Sequence, residues 1–406
     1  MRSNYKRIGD FIKQVSLKNT EGEFDELLGI NIDKFFMPSV ANVIGTDLKR
    51  YKVVKKHQFA CNRMHVGRDY RIPIALSRSE TPFIVSPAYT VFEITDTSII
   101  DPDYLMMWFS RPEFDREVWF HTDADVRGGL PWGMFCDIEL PIPSIEKQRA
   151  IVKEYNTVVN RIKLNEELNR KLEETAQAIY KEWFVDFEFP IDKDLAIKMG
   201  NTELEGKPFK SSGGEMVWNE ELDKEVPEGW EVKDLSDVAK ITMGQSPKGE
   251  TYNEDKIGMI FYQGRTDFGF RIPQIRVYTT DPKRKAKEGD VLMSVRAPVG
   301  DLNIANTDCC IGRGLSSIRS SEGSYVFYLM KNFKSLFDSS KGTGTIFSSI
   351  NKEELHNLKV VYRKEASICF NDLIKEIDKS IIIYCNQINM LSELKSVLLS
   401  SMSKVN

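Results

Sequence analysis

The chain has 406 residues, 41% hydrophobic and 11% aromatic, which is enough for two or three domains with proper cores. Its first residues are polar and no apolar run approaches the roughly 20 residues of a bilayer span, so no signal peptide, no membrane and a cytoplasmic location are expected. Six cysteines without a CxxC pair and only four histidines speak against structural zinc, and a net charge of −4 gives no overall pull toward nucleic acid.

Residues 1–143 read as a mixed α/β domain, with strand-like runs at 51–54, 83–85 and 90–94. A helix is expected over 102–120, with Asp101 as N-cap and Pro102 in the first turn. Pro141 and Pro143 close this domain, and Ser144 can cap a helix expected to run over 144–187. Residues 188–228 are acidic, with Gly200, Gly206, Pro208, Gly213 and Gly214, and read as an extended or partly ordered connection. From Asp186 to Asp237 there are fifteen acidic and six basic residues, a net of −9 that leaves +5 for the rest of the chain. Within that rest, 265–288 holds seven basic residues against three acidic ones. Contact with phosphate is governed by such local charge, so nucleic acid is not excluded.

The second domain shows strand signals at 259–262, 291–295, 302–305 and 316–318, a turn at Gly289 and Asp290, and a helix over about 325–338. A closing helix is expected over about 364–403. The expected division is 1–143 for the first domain, 144–187 for the first long helix, 188–361 for the connection and second domain, and 362–406 for the second long helix.

The chain repeats itself. In the first long helix Ile151, Val158, Asn165, Leu172 and Ile179 recur every seven residues, with Tyr155, Ile162, Asn169, Ala176 and Trp183 interleaved. A shift of 219 residues carries this series onto Phe370, Ile377, Tyr384, Leu391 and Leu398, with Ile374, Ile381, Ile388 and Lys395 interleaved. Two such stripes want a partner, and the nearest candidate is each other. Buried asparagines at 165 and 169 would weaken the pairing but fix its register. The repeat continues outside the helices: Ile8, Asp10 and Phe11 correspond to Leu235, Asp237 and Val238, and Tyr104-Leu-Met-Met-Trp-Phe109 corresponds to Tyr325-Val-Phe-Tyr-Leu-Met330. The expected fold is therefore mixed α/β (α+β): two similar domains separated by two long antiparallel helices forming a coiled coil, with an internal pseudo-twofold repeat.

Several stretches carry a family resemblance. Arg127-Gly-Gly-Leu-Pro-Trp132 leads to Phe135-Cys-Asp-Ile-Glu-Leu-Pro-Ile-Pro143, and Ile145-Glu-Lys-Gln-Arg149 opens the long helix. Tyr180-Lys-Glu-Trp-Phe-Val-Asp-Phe187 ends it, and Lys210-Ser-Ser-Gly-Gly-Glu215 and Pro227-Glu-Gly-Trp230 follow. Gly289-Asp-Val-Leu-Met-Ser-Val-Arg296 and Gly342-Thr-Gly-Thr-Ile-Phe347 lie in the second domain. In this order the set resembles the specificity (S) subunits of type I restriction–modification enzymes. The approach to the second helix, Leu358-Lys-Val-Val-Tyr-Arg-Lys-Glu365, departs from the pattern in lacking prolines and glutamine. The resemblance implies two target-recognition domains, each reading one half of a split double-stranded DNA target, with helices that set the gap and dock two methyltransferase (M) subunits. It also implies up to two restriction/translocase (R) subunits, and S-adenosylmethionine, ATP and Mg bound by those partners rather than by this chain.

Catalytic signals are sparse. No Asn-Pro-Pro-Tyr or Asp-Pro-Pro-Tyr tetrapeptide is present. The run Gly258 to Thr266 is one residue too long for a phosphate loop and has Arg265 where lysine is required. His65 near Cys61 reads as structural rather than metal-binding. No catalytic or metal-ligating residue is assigned; the chain is expected to be a non-catalytic subunit. For DNA contact, basic and amide side chains beside glycine are the candidates: Asn62, Arg63, Arg68, Arg71, Arg78 and Arg127 in the first domain, and Gln263, Arg265, Arg271, Arg296, Arg313 and Lys341 in the second. Helix pairing is assigned to Ile151, Tyr155, Val158, Ile162, Leu172 and Ile179, and to Phe370, Ile374, Ile377, Ile381, Ile388, Leu391 and Leu398. Trp108, Trp119 and Trp132 read as core. The alternative function is a coiled-coil scaffold that binds no DNA and carries two protein-binding domains.

Overall fold

The computed structural model describes residues 5–39, 46–64, 66–122, 129–339 and 349–404. Contacts divide the chain into two compact units, Met1–Ile162 with Met390–Asn406, and Lys163–Asn389.

In the first unit, strands β1 (Ile12–Val15), β4 (Phe59–Cys61), β5 (Ile74–Leu76) and β6 (Thr90–Ile94) form an antiparallel sheet in the order β1-β6-β4-β5. Here β2 (Leu28–Ile30) and β3 (Phe36–Pro38) form a separate hairpin. Strand β6 is central and its residues are nearly all buried, which suits the β-branched and aromatic run Thr-Val-Phe-Glu-Ile. Phe92 stacks on Phe59 at 5.0 Å. Helix α1 (Pro102–Phe109) follows, with the Asp101 carboxylate accepting from the amides of Asp103 and Tyr104 at 2.9 and 3.2 Å. The single helix expected over 102–120 is two helices. Pro112 has no N–H to bond a carbonyl four residues back and holds Arg111 extended, so the chain restarts as α2 (Pro112–Phe120). The strand Tyr5–Arg7 pairs with Glu139–Pro141, the segment just before the first long helix, α3 (Ile145–Phe184).

The second unit repeats this plan. Strands β7 (Lys240–Met243), β12 (Val291–Ser294), β13 (Leu302–Ile304) and β15 (Leu315–Arg319) form an antiparallel sheet in the order β7-β15-β12-β13. First, fourth, second and third strands follow one another here as in the first unit. Helix α4 (Gly323–Ser339) comes after the fourth strand, as α1 does. Glu231–Asp234 pairs with Lys359–Tyr362, just before the second long helix, α5 (Lys364–Ser401). A second sheet is inserted: β8 (Tyr252–Asn253), β9 (Met259–Tyr262), β10 (Tyr278–Thr279), β11 (Lys285–Ala286) and β14 (Cys309–Ile311), in the order β8-β10-β9-β14-β11.

Within the second unit the long helices run antiparallel. Asn165 Nδ2 donates to Gln387 Oε1 at 3.1 Å, Asn169 Nδ2 to Cys385 Sγ at 3.4 Å, and Tyr180, Trp183 and Phe184 surround Phe370. In the first unit, Leu399 and Met402 enter the core, with Ile151 and Tyr155 packed against it. None of the assigned pairing residues is exposed. The acidic connection differs from expectation. Instead of an extended linker it has a short helix, Lys193–Lys198, and a hairpin of Met216–Asn219 with Lys224–Pro227. Phe189, Ile191 and Phe209 are buried with Phe187 and Trp230 in the unit's core, and apolar anchors at this spacing outweigh the acidic surface.

Candidate nucleic-acid interface

In the second unit three loops converge. Gly312 accepts close backbone approach: a Cβ there would lie 2.8 Å from the Gln263 carbonyl oxygen, and one on Gly314 would lie 3.2 Å from the same atom. The Gly312 amide donates to Tyr262 O at 2.8 Å, and the Val295 amide to Gly314 O at 3.0 Å. These contacts gather Gln263, Arg265, Arg296 and Arg313, all with exposed side chains. The Asp267 carboxylate, almost fully buried, accepts from the amides of Gln263 at 2.6 Å and Gly264 at 3.3 Å, fixing the turn that presents Gln263 and Arg265. Arg265 pairs with Asp301, which also pairs with Lys334. Burial opposes ionisation of Asp301, but these two cations hold its carboxyl below the usual range. Among the described residues no acidic group is paired with Arg296 or Arg313, so both guanidinium groups are available to a phosphate or a base edge. A cleft of about 480 Å³ lies alongside, lined in part by Arg265, Phe268, Phe270, Asp301, Lys331 and Lys334.

Arg271 does not belong to this surface. Its side chain is fully buried, bonded to Asp378 of α5 at 2.9 Å and to Glu173 of α3 at 3.1 Å. It cannot touch DNA in this conformation, because two carboxylates and the Phe327 ring, 4.0 Å from its guanidinium carbon, already surround it. The sequence signal was Asp378, an acid set within the apolar stripe of Ile374, Ile377 and Ile381, which needs a buried cation. Arg276 and Gln274, not singled out from sequence, are exposed next to the cluster, with Arg276 bonded to Asp267 at 2.9 Å through Nε.

In the first unit the candidates fall into three places. Arg63 is drawn inward: its Nε donates to Thr90 Oγ1 at 3.0 Å, its Nη1 to Leu130 O, and its guanidinium lies over Trp132. Asn62 uses its side-chain oxygen to accept the Met64 amide at 3.1 Å. Arg68 and Arg71 are exposed and paired with Asp69 and Asp33. Tyr70 between them packs on Trp119 at 5.2 Å; Trp119 is 44% exposed, so of the three tryptophans expected in the core this one lies at the surface. Tyr70 and Trp119 extend the basic pair into an aromatic–basic patch. Arg78 is exposed and pairs with Asp103, just inside α1. Arg127, Lys341 and His65 lie outside the described residues. Cys61 is buried in β4, where desolvation pushes its thiol up to about 12. Among the described residues no helix is long and apolar enough to cross a membrane.

Residues 227–362 match the model of the type I restriction modification DNA specificity domain. Over 229 residues the chain is 33% identical to the putative type I restriction enzyme MjaX specificity subunit of Methanocaldococcus jannaschii, covering 55% of this chain and 48% of that one. It is 28% identical over 300 residues to the MjaIX specificity subunit of the same organism, with 68% and 63% covered. It is 24% identical over 297 residues to the HindI specificity subunit of Haemophilus influenzae, with 61% and 63% covered. The chain thus spans about half to two thirds of the length of the curated relatives it matches. In structure it is similar to the type I restriction–modification S subunit from M. genitalium, with a TM-score of 0.55 at 11% identity, covering 98% of this chain and 95% of that one. That likeness bears out the mixed fold, and the relatives bear out the resemblance to type I specificity subunits.

Proposed function

With a type I restriction modification DNA specificity domain at residues 227–362 as premise, we propose that this chain is the non-catalytic, sequence-recognising subunit of a type I restriction–modification complex in the cytoplasm. Each unit reads one half of an asymmetric bipartite target on double-stranded DNA. The observation that carries this reading is the convergence of Gln263, Arg265, Arg296 and Arg313 on one surface inside that domain. Amide and guanidinium groups are the side chains that bond adenine and guanine edges bidentately in the major groove.

The two long helices share one heptad register, offset by 219 residues, so that the faces opposite their paired stripes offer two similar surfaces. Each surface docks one M subunit, and the separation of the half-sites follows helix length. S-adenosylmethionine, ATP and Mg belong to the M and R subunits. Methylome sequencing of cells with and without this gene tests the reading: one bipartite methylated motif disappears with the gene. A methylome indifferent to the gene rejects it and favours a protein scaffold. Inserting four residues after Asn165 tests the spacing role. It adds ~6 Å of helix and should lengthen the gap by about one or two base pairs, leaving both half-sites unchanged.

A further inference from the structure

Between Phe268 and Pro273, which form a bridge, the chain makes a narrow hairpin whose tip is Gly269-Phe-Arg-Ile272. On one side Asn303 of β13 grips it: the Gly269 amide donates to Asn303 Oδ1, and Asn303 Nδ2 donates to Gly269 O, both at 3.0 Å. The Ile304 amide donates to Arg271 O at 2.8 Å. On the other side Ile272 is buried with Ile381 and Cys385, with Leu172 and Ile377 beside it, so it sits in the seam of the two long helices. Arg271 reaches an acid on each helix, Glu173 and Asp378, and its Nη2 donates to the Tyr328 hydroxyl at 3.0 Å. Tyr328 in turn donates to Asp378 Oδ1 at 3.1 Å.

The network is poorly optimised for stability. Among the described residues Arg271 Nε and Asp378 Oδ2 are buried without a hydrogen-bond partner. Replacing a buried ion group by apolar side chains is often neutral or stabilising, and the best-attested use of such groups is to fix register. A planar fork that needs one acid from each helix is satisfied in only one pairing register of α3 and α5. The hairpin base leads directly to the candidate interface: Asp267 holds the Gln263 and Gly264 amides and the Arg276 side chain, and the Gln274 amide donates to Asp267 O at 2.7 Å.

We propose that Arg271 is a positioning residue for recognition: with Ile272 it clips the 263–276 loop to both long helices, so that Gln263 and Arg265 meet DNA at a fixed orientation relative to those helices. The clip rests on the DNA-recognition reading for its consequence and on geometry alone for its existence. Two measurements therefore separate the two. In cells carrying the full complex, Arg271→Gln should relax the methylated motif at one half-site only, lowering discrimination at one or two positions by about tenfold. Arg271→Lys, which keeps one charge, should relax it less. The slope of DNA affinity against salt should stay the same, because Arg271 touches no phosphate. An unchanged motif with merely less methylation would make Arg271 only a stabiliser, and a slope reduced by about one would make it a direct phosphate contact; either outcome overturns the proposal. In the purified full chain, amide hydrogen exchange of 263–276 should quicken at least tenfold in Arg271→Gln while β12 and β15 stay protected. If the loop exchanges as in the native chain, there is no clip, whatever the DNA result. If instead exchange quickens but no motif depends on the gene, the clip stands and the recognition reading falls. Should the glutamine variant fail to fold, Arg271→Lys serves for both measurements.

Discussion

Each unit buries one cation at the tip of a hairpin, but the two hairpins are tied to different things. In the first unit Lys34 stands in the turn between β2 and β3 and donates to Asp115 Oδ1 of α2 at 2.8 Å and to Phe109 O of α1. Burial pulls its ammonium pKa down, with Asp115 opposing. Both partners belong to the short helices of the same domain. In the second unit Arg271 ties its hairpin to the long helices through an acid on each. Lys34 meets one carboxylate and a backbone carbonyl, whereas the planar guanidinium fork of Arg271 spans two carboxylates in a fixed geometry. The difference teaches that a repeated topology leaves anchoring free to diverge: the hairpin at Arg271 is bonded to both long helices, whereas the one at Lys34 is bonded to two short helices.

That contrast can be broken most strongly at Asp378. Asp378→Ala leaves the fully buried Arg271 with one acid and should cost about 3–5 kcal/mol of unfolding free energy, read by urea denaturation. A loss under 1 kcal/mol would mean that the helices do not depend on the clip. Lys34→Met should cost less, about 2 kcal/mol, because Asp115 keeps the Ile72 amide at 3.2 Å and methionine replaces the apolar stem. Equal losses in the two variants would erase the proposed distinction between anchors.

The exposed arginines sharpen the comparison further. Arg296 and Arg313 lack an acidic partner among the described residues, whereas Arg68, Arg71 and Arg78 each have one. Arg296→Ala or Arg313→Ala should lower the salt slope of DNA binding by about one unit if the contact is to phosphate, or reduce discrimination at one base by ~1–3 kcal/mol if it is to a base edge. Arg78→Ala should change neither, since Asp103 already engages that guanidinium. The smallest effect is on pH. Burial opposes ionisation of Asp290, but Arg319, Ser317 and the Lys287 amide together hold its carboxyl below the usual range. With the folded value below the unfolded one, its contribution is complete above the unfolded pKa of ~3.9 and is lost as pH falls through the folded value. Asp290→Asn should therefore flatten the acid limb of the stability curve below about pH 4; a limb of unchanged steepness would place the acid sensitivity elsewhere.

The duplication, the mixed fold and the inward heptad stripes were legible in the sequence, because each depends on periodicity or spacing within a continuous stretch. Ile151 to Ile179 and Phe370 to Leu398 declare their faces by recurrence every seven residues, and Asp101 with Pro102 declares a helix start in two positions. Pro112 was equally legible and should have divided the 102–120 helix, since a missing N–H is a local fact. What local pattern could not supply was the fate of single polar side chains. Arg265 and Arg271 are six residues apart with similar glycine-bearing neighbourhoods, yet one is exposed and the other is sealed between Glu173 and Asp378, about a hundred residues away on either side. The acidic 188–228 stretch misled for the same reason: composition described its surface, while Phe189, Ile191 and Phe209 found partners in Phe187 and Trp230 only once the chain had folded. Periodicity fixes which face of an element is apolar, because neighbours along the chain enforce it. Which charge is buried and which is left exposed is decided by partners distant in sequence, and that is a property of the tertiary structure alone.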